Sequence, residues 1–313
     1  MVDEVYVINL DRAKERMAGV DAQCRRAGID YTRIPAVDGR NLSPTDLKRA
    51  ATPLCKTLCT PAMIGCALSH MRCWRKMVRD GRERVLIMED DAKLVDDFVP
   101  RLQTALADVP VDFDVLLCGC FYLCNKNRRY PIGHELLKVF TPGKRRNDTR
   151  TWGTVFVPEF FAGSHCYVVS NKGARKLLTA IPRVSFHVDL LMNHPDIDLY
   201  AVSPDLSFQG DMSTSSIATY SFPKTFGPLL SNVKDGKGIP LSYYLDAPFM
   251  QVGGKHVNGW AIIFLVLGLL RWRAFPAVAG VFVAEIVVQG DVIVPMVTYT
   301  LGWALAAGVV RIK

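Results

Sequence analysis

The stretch Val85-Leu-Ile-Met-Glu-Asp-Asp91 constrains the fold most, because an apolar run ends abruptly in three consecutive acidic residues. Val85 to Met88 is short and continuous, which predicts a strand covered on both faces, as in a parallel α/β sheet. Carboxylates crowded at the end of such a strand repel one another, and a divalent cation with oxygen ligands relieves that repulsion. Ligands also bind at this edge of open α/β sheets. Alternatively, Asp91 caps a helix that begins near Lys93.

A strand, a helix and a second strand precede this stretch in the pattern of a βαβ unit. Val5 to Ile8 predicts the first strand, and Tyr31 to Pro35 predicts the second. Arg12 and Arg16 lie four residues apart, so on a helix both guanidinium groups share one face and point toward a bound nucleotide or its phosphates. An amphipathic helix with solvated arginines explains the same spacing.

A long helix is predicted from Thr60-Pro61 to about Val78, because threonine followed by proline is a helix start signal. One face carries small or apolar groups and can pack closely on a sheet; these are Gly65, Cys66, Ser69, Cys73 and Met77. His70 is a candidate for substrate contact, although a hydrogen-bonded interior histidine is equally common.

Two later segments offer further candidates. Residues 121–161 show no clear period and hold basic residues together with aromatic ones, which fits either a lid over a diphosphate or a simple surface loop. Asp189 is a second carboxylate, far from the first group in sequence. It is a candidate general base for an acceptor hydroxyl, or else a helix cap.

Bulk properties argue against some classes of function. The 313 residues carry a formal net charge of +8, but the basic residues are scattered outside one cluster in residues 126–146, so no nucleic acid partner is expected. The nine cysteines are an odd number without paired C-x-x-C spacing, which predicts reduced thiols in a cytosol-like compartment. Because no signal peptide opens the sequence, the catalytic part is expected to stay where it is made.

The composition changes sharply from Trp260 onward, where charged residues nearly vanish. Apolar stretches follow at residues 260–270, 274–288 and 292–310, and because about twenty residues cross a bilayer, only the last qualifies by length. Three crossings would place basic ends outside, against the positive-inside tendency. We therefore expect an interfacial helix and then a two-helix membrane hairpin from Ala274 to Val310. A buried helical subdomain is the alternative.

These features divide the chain into three parts. Residues 1–225 are predicted to form the catalytic domain, residues 226–258 a linker, and residues 259–313 the hydrophobic, membrane-associated tail.

In seven motifs and in their order, the chain resembles glycosyltransferase family 25, the lipooligosaccharide and procollagen galactosyltransferase group. The resemblance covers about residues 5–217. The motifs are Ile8-Asn-Leu-Asp-Arg12 with Arg16, Ala36-Val-Asp-Gly39, Ile64-Gly-Cys-Ala-Leu-Ser-His70, Met88-Glu-Asp-Asp-Ala92, Gly163-Ser-His-Cys-Tyr-Val-Val-Ser170, Lys172-Gly-Ala-Arg-Lys176, and Asp189 with Pro204 and Gln209. One departure matters: the family usually has Gly-Glu before Ile64, where this chain has Ala62-Met63.

The resemblance implies an α/β fold of the GT-A-like type with a single Rossmann-type domain, a UDP-sugar donor, a Mn²⁺ or Mg²⁺ ion, and inversion at the anomeric carbon. The metal is then expected on Asp91, with Asp90 or Glu89 as a further ligand, and Asp189 is the candidate catalytic base. The donor-binding residues are then Asn9, Arg12, Arg16, Asp38, Gly39, His70 and Glu89.

The sequence therefore predicts a hexosyltransferase that moves galactose or glucose from a UDP-hexose to a glycan or a lipid-linked acceptor. It is expected to be membrane-associated through its tail, with the catalytic domain on the cytosolic side. A receiver domain shares the strand ending in Glu-Asp-Asp, but its phosphoacceptor aspartate would fall near residue 134, where the chain has Gly133-His134. A catalytically inactive membrane-bound scaffold fits Met63, whereas the intact acidic triplet argues against it.

Overall fold

The computed structural model describes residues 2–120, 150–158, 161, 163–210, 250–252, 255–257, 259–270, 273–287 and 293–311. The chain forms two compact units, one of residues 1–56 with 61–212 and one of residues 57–60 with 213–313. Most of the predicted lid, residues 121–149, lies outside the described part of the chain, so the lid stays a prediction.

The first unit is built on one large mixed sheet. Its strands are β1 Glu4–Asn9, β2 Thr32–Pro35, β3 Arg84–Glu89, β5 Val115–Leu117, β6 Thr151–Trp152, β7 Val155–Phe156, β8 Cys166–Ser170 and β9 Leu199–Val202. The order across the sheet is β2-β1-β3-β8-β5-β9-β7-β6. The predicted strands at residues 5–8 and 85–88 are confirmed, and β1 runs parallel to both β2 and β3.

The expectation of a purely parallel sheet is wrong at one position that matters for the site. Strand β8 lies antiparallel between β3 and β5, with Met88 opposite Cys166. The chain therefore enters β8 at the edge where β3 ends, and the backbone N–H of Glu89 donates to the carbonyl of His165 at 2.8 Å. This reversed strand brings Ser164 and His165 to the acidic residues.

The helices of the first unit cover the sheet. They are α1 Lys14–Ala27, α2 Pro44–Ala50, α3 Pro53–Leu58, α4 Pro61–Arg79, α5 Phe98–Asp108, α6 Asn171–Ala180 and α7 Val188–Met192. The long helix predicted from residue 60 to residue 78 is thus confirmed as α4. Its buried face includes Met63, Cys73 and Trp74, which are fully buried.

Asp91 does not cap a helix. Residues Ala92–Leu94 form strand β4, which pairs antiparallel with strand β10, Ser207–Gln209. The capping alternative is therefore wrong, and α5 begins only at Phe98. Because β10 is the partner of β4, Gln209 lies opposite Ala92, directly beside the acidic residues.

Two glycines let the loop after β2 lie directly against helix α4. A Cβ on Gly39 would stand 1.8 Å from the carbonyl oxygen of Pro61, and a Cβ on Gly65 would stand 2.4 Å from that of Val37. Ser69 fixes the same contact, since its hydroxyl accepts from the N–H of Val37 at 2.8 Å and donates to the carbonyl of Gly65 at 2.7 Å. This close approach positions Asp38.

The cysteines fall into two groups. Free thiols are present at Cys24, Cys66, Cys73, Cys118 and Cys166. In contrast, Cys55, Cys59 and Cys120 are in disulfide bonds, so the prediction of reduced thiols is wrong for these three. Sequence spacing missed them because disulfide partners are set by the fold and not by a local motif.

The hydrophobic tail forms helices α8 Gly259–Leu269, α9 Phe275–Val287 and α10 Ile293–Arg311, preceded by a small hairpin of β11 Met250–Val252 and β12 Lys255–Val257. Helix α8 packs directly on α10, a contact that the predicted arrangement did not include. A Cβ on Gly268 would stand 2.1 Å from the carbonyl oxygen of Tyr299, and one on Gly302 would stand 2.2 Å from that of Leu265. Glycines at both positions allow the two backbones to touch.

The three tail helices share one small core. It contains Trp260, Phe264, Ala274, Val278 and Tyr299. In contrast to the prediction for residues 292–310, no helix within the described ranges has both the length and the apolar character that crossing a bilayer requires.

The contact between α8 and α10 makes a testable prediction. Gly302→Ala puts a methyl group against the backbone of α8, so the pair must separate, at a cost of about 1–3 kcal/mol. Hydrogen exchange of peptides from residues 259–269 and 293–308 should be faster in this variant. Gly308→Ala is the matched control on the same helix, because no atom lies within 4 Å of its Cβ position. Equal exchange in the two variants would show that this packing is wrong.

Candidate functional site

The three consecutive acidic residues point in different directions and have different partners. Asp90 is buried, and both of its carboxylate oxygens are engaged. One accepts from the amide of Asn9 at 2.7 Å, and the other pairs with the guanidinium of Arg16 at 2.9 Å. The predicted metal ligand Asp90 is therefore neutralised by the protein itself.

Asp91 is the acidic residue whose charge is least compensated. Its Oδ2 accepts from the side-chain amide of Gln209 at 2.9 Å, while its Oδ1 is buried without a hydrogen-bond partner in the described part of the chain. Burial, followed by the charge of Glu89, raises the pKa of Asp91 to about 6. An ionised carboxylate in this position is stabilised by a cation.

The side chain of Glu89 is contacted by His70 of helix α4 and by Ser164, which lies just before strand β8. The hydroxyl of Ser164 donates to its Oε1 at 3.0 Å, and His70 Nε2 lies 3.3 Å from the same oxygen. Burial acts to raise the pKa of Glu89, but the hydrogen bonds from His70 and Ser164 outweigh it and hold the pKa below its usual value. Glu89 is thus kept as a carboxylate.

His70 is fully buried and is held from its other side. Its Nδ1 lies 2.9 Å from the hydroxyl of Tyr167, and that oxygen also accepts from the indole N–H of Trp74 at 2.9 Å. Because a carboxylate can only accept, Nε2 carries the proton toward Glu89 and Tyr167 donates to Nδ1. His70 is therefore the hydrogen-bonded interior histidine that the sequence analysis offered as an alternative, and its contact with a substrate stays a prediction.

Arg12 and Arg16 do not share a helix face, contrary to the prediction. Helix α1 begins only at Lys14, so Arg12 precedes it and pairs with Asp38, while Arg16 turns to Asp90. Hydrogen bonds from Arg40, together with the charge of Arg12, lower the pKa of Asp38 to about 2 despite its partial burial. Asp38 thus holds two arginines at the edge of the sheet.

An open cavity of about 400 Å³ lies beside Asn9. Its lining residues are Asn9, Asp11, Lys14, Met17, Ala18, Asp21, Tyr31 and Arg33. Arg33 donates to the side-chain oxygen of Asn9 at 3.0 Å and also pairs with Asp11. Sequence reasoning missed Arg33, because a single arginine in a short strand carries no signal of its own.

Asp189 lies near the acidic residues. It is on the short helix α7, and its Oδ2 accepts from the backbone N–H of Gly163 at 2.9 Å. Its charge acts on the partly buried thiol of Cys66, as do the charges of Glu89 and Asp91. The structure thus brings this distant carboxylate to the predicted site. Cys66 and Ser164 belong to the site as well, although the sequence offered neither as a functional residue.

Comparison with known proteins identifies a family. The family profile described as glycosyltransferase family 25 (LPS biosynthesis protein) matches residues 2–192. A glycosyltransferase 25 family member of Aedes aegypti is 29% identical over 211 residues, which is 62% of this chain and 32% of the relative. Procollagen galactosyltransferase 1-A of Xenopus laevis is 27% identical over 193 residues, 58% of this chain and 29% of that protein.

Some relatives carry a different description. The inactive glycosyltransferase 25 family member 3 of Mus musculus is 30% identical over 191 residues, 58% of this chain and 29% of the relative. This chain spans about a third of the length of the curated relatives it matches. Among solved structures, A197 from STIV aligns over 67% of this chain and 86% of that chain, at 10% identity and a TM-score of 0.35.

The buried charge of Asp91 predicts a pH dependence of stability in metal-free protein. The pKa of Asp91 is raised in the folded state, so the protein binds more protons folded than unfolded. Its free energy of unfolding therefore falls as the pH rises from the unfolded pKa of aspartate, about 3.9, through about 6. Asp91→Asn removes this loss, so above pH 7 the variant should be more stable than wild type by up to about 3 kcal/mol. Near pH 4 the difference should vanish.

Urea unfolding in the presence of chelator, followed by tryptophan fluorescence between pH 4 and pH 8, measures this difference. Asp96→Asn, at an exposed site five residues away, is the control and should follow wild type. If the difference in unfolding free energy between Asp91→Asn and wild type were the same at pH 8 as at pH 4, the ionised carboxylate of Asp91 would not destabilise the fold.

Proposed function

Because the chain belongs to glycosyltransferase family 25, we propose that it transfers a hexose, galactose or glucose, from a UDP-sugar to a hydroxyl of a glycan or glycolipid. One observation carries the proposal. Asp91 has a buried carboxylate oxygen without a hydrogen-bond partner among the described residues, at the end of β3 and within the matched region. Such an oxygen is suited to a hard divalent cation, which a diphosphate leaving group requires.

The donor set fits Mn²⁺ or Mg²⁺. We assign the ion to Asp91 with Glu89, since Asp90 is already paired with Arg16 and Asn9. When bound, the ion supplies positive charge to the diphosphate as it leaves the sugar. In this proposal Arg12, held by Asp38 beside Gly39, and Arg16, held by Asp90, lie on the donor side of the site.

Asp189 is the proposed general base. Inversion requires the acceptor hydroxyl to attack from the face opposite the leaving group, and a carboxylate within hydrogen-bond reach then removes its proton. Support comes from the position of Asp189, whose charge reaches Cys66 together with those of Glu89 and Asp91. The hydrogen bond from Gly163 orients its carboxylate.

A catalytically inactive protein is the second candidate, and two observations favour it. Relatives of similar identity are described as inactive. In addition, Met63 is fully buried at the position where the resemblance predicts glutamate, so this chain lacks a carboxylate there.

The release of UDP distinguishes the two candidates. The full chain should release UDP from UDP-galactose or UDP-glucose in the presence of Mn²⁺, and chelator should abolish the release. Asp91→Ala should lower the rate about 100-fold or more, because it removes electrostatic stabilisation of the leaving group. The exposed Asp96→Ala variant should retain the wild-type rate.

Folded protein that releases no UDP from either donor, and that does not bind UDP with Mn²⁺, would favour the inactive candidate. Release that is unchanged by chelator and by Asp91→Ala would contradict the metal assignment while leaving transfer in place.

We also propose that the tail binds a membrane surface. Val297, Leu301 and Leu305 lie four residues apart on α10 and are each more than half exposed. A row of exposed aliphatic side chains of this kind is typical of helices that lie in the membrane interface. Location of the catalytic domain on the cytosolic side stays a prediction, and the disulfide bonds of Cys55, Cys59 and Cys120 are of a kind more common in oxidising compartments.

Flotation with phospholipid vesicles tests the membrane proposal. Leu301→Lys combined with Leu305→Lys should reduce the vesicle-bound fraction at least about tenfold, because charges replace two exposed leucines that would enter the membrane interface. Val111→Lys, at an 85% exposed site in the first unit, is the control and should float like wild type. If the double lysine variant and Val111→Lys floated equally, this face of α10 would not be the membrane-binding surface.

A further inference from the structure

One cluster next to the proposed donor site has a different ligand chemistry. Cys66 and His70 lie four residues apart on α4, and Glu89 ends β3. One sulfur, one nitrogen and one oxygen atom from these residues all lie within 4.8 Å of one another. We propose that Cys66, His70 and Glu89 form a binding site for a thiophilic divalent cation such as Zn²⁺. This proposal does not rest on sugar transfer.

The spacing of the three atoms suits a tetrahedral ion. His70 Nε2 and Glu89 Oε1 are 3.3 Å apart. Two ligands that each lie about 2.0 Å from a tetrahedral zinc ion are separated by about 3.3 Å, and a thiolate at about 2.3 Å lies somewhat farther away. Three protein ligands with one open position are also the usual set of a zinc site that stays accessible.

A second layer of contacts orients the histidine. Metal-binding histidines are commonly fixed by a hydrogen bond at the other ring nitrogen, and here Tyr167 lies 2.9 Å from Nδ1. Trp74 in turn holds the hydroxyl of Tyr167. On binding of a cation, the ring proton moves to Nδ1 and donates to the oxygen of Tyr167, while Cys66 releases its thiol proton to solvent.

The charges around the cluster favour a cation. Burial raises the pKa of the Cys66 thiol well above its usual value, and the charges of Glu89, Asp189 and Asp91 raise it further. The same negative potential attracts a divalent ion, whose charge offsets the cost of forming the thiolate. His70 is fully buried, but the side chain of Glu89 is 23% exposed, which leaves a path from solvent.

Sharing of Glu89 has a functional consequence. A zinc ion held by Cys66 and His70 withdraws Glu89 from Asp91, so this site and the proposed Mn²⁺ site compete for one carboxylate. The cluster is therefore a place at which a soft metal ion excludes a hard one.

Titration of the full-length, metal-free chain with Co²⁺ tests the proposal, because cobalt bound to a thiolate gives a charge-transfer band in the near ultraviolet. Wild type should develop this band, and Zn²⁺ should bleach it. Cys66→Ser should lose it, whereas Cys73→Ser, at another free cysteine on the same helix, should keep it. Tyr167→Phe should keep the band but weaken Co²⁺ binding about tenfold.

The cobalt–thiolate band is measured independently of catalysis. A cobalt–thiolate band in a protein that releases no UDP would support the cation site alone. Absence of the band in folded wild type, or a band that persists in Cys66→Ser, would overturn the proposal. Circular dichroism and the urea midpoint verify that each variant is folded, and His70→Gln, which should also weaken Co²⁺ binding at least tenfold, covers the case in which Cys66→Ser does not fold.

Discussion

The crowding of three consecutive carboxylates at the end of β3, where Asp90 is buried and Glu89 and Asp91 are partly buried, is the constraint on which the rest of the first unit depends. Each carboxylate needs compensation where water is largely excluded. Asp90 obtains it from Arg16 and Asn9, and Glu89 obtains it from His70 and Ser164. Asp91 receives one amide hydrogen bond and retains an oxygen that has no partner among the described residues. The elements that supply these groups are therefore tied to β3 by charge as well as by packing.

The architecture around β3 follows from this requirement. Strand β1 supplies Asn9, the antiparallel strand β8 is preceded by Ser164, and helix α4 supplies His70. The glycines of α4 and of the loop after β2 allow backbone contact, which holds α4 against the carboxyl edge of the sheet. A larger residue at Gly65 would push α4 away from that loop and weaken the contact between His70 and Glu89.

Sequence reasoning succeeded where a local pattern determines the outcome. The apolar run of β3 and the proline-started helix α4 depend on neighbouring residues only. It failed where the outcome depends on which distant groups meet. The residues around Asp90 do not indicate its ion pair with Arg16. The residues around Arg12 do not show that α1 begins two residues later. The antiparallel β8 and the pairing of α8 with α10 are likewise decided by long-range contacts.

The division of roles among the three acidic residues also bears on the order of events in the proposed reaction. With Asp90 paired to Arg16, the carboxylates of Glu89, Asp91 and Asp189 leave the site rich in negative charge. A nucleotide diphosphate is itself an anion and is repelled by three carboxylates at short range. A divalent cation offsets most of this local negative charge, and it finds in Asp91 an oxygen that no other described group satisfies. Electrostatics therefore favours binding of the cation before, or together with, the sugar nucleotide.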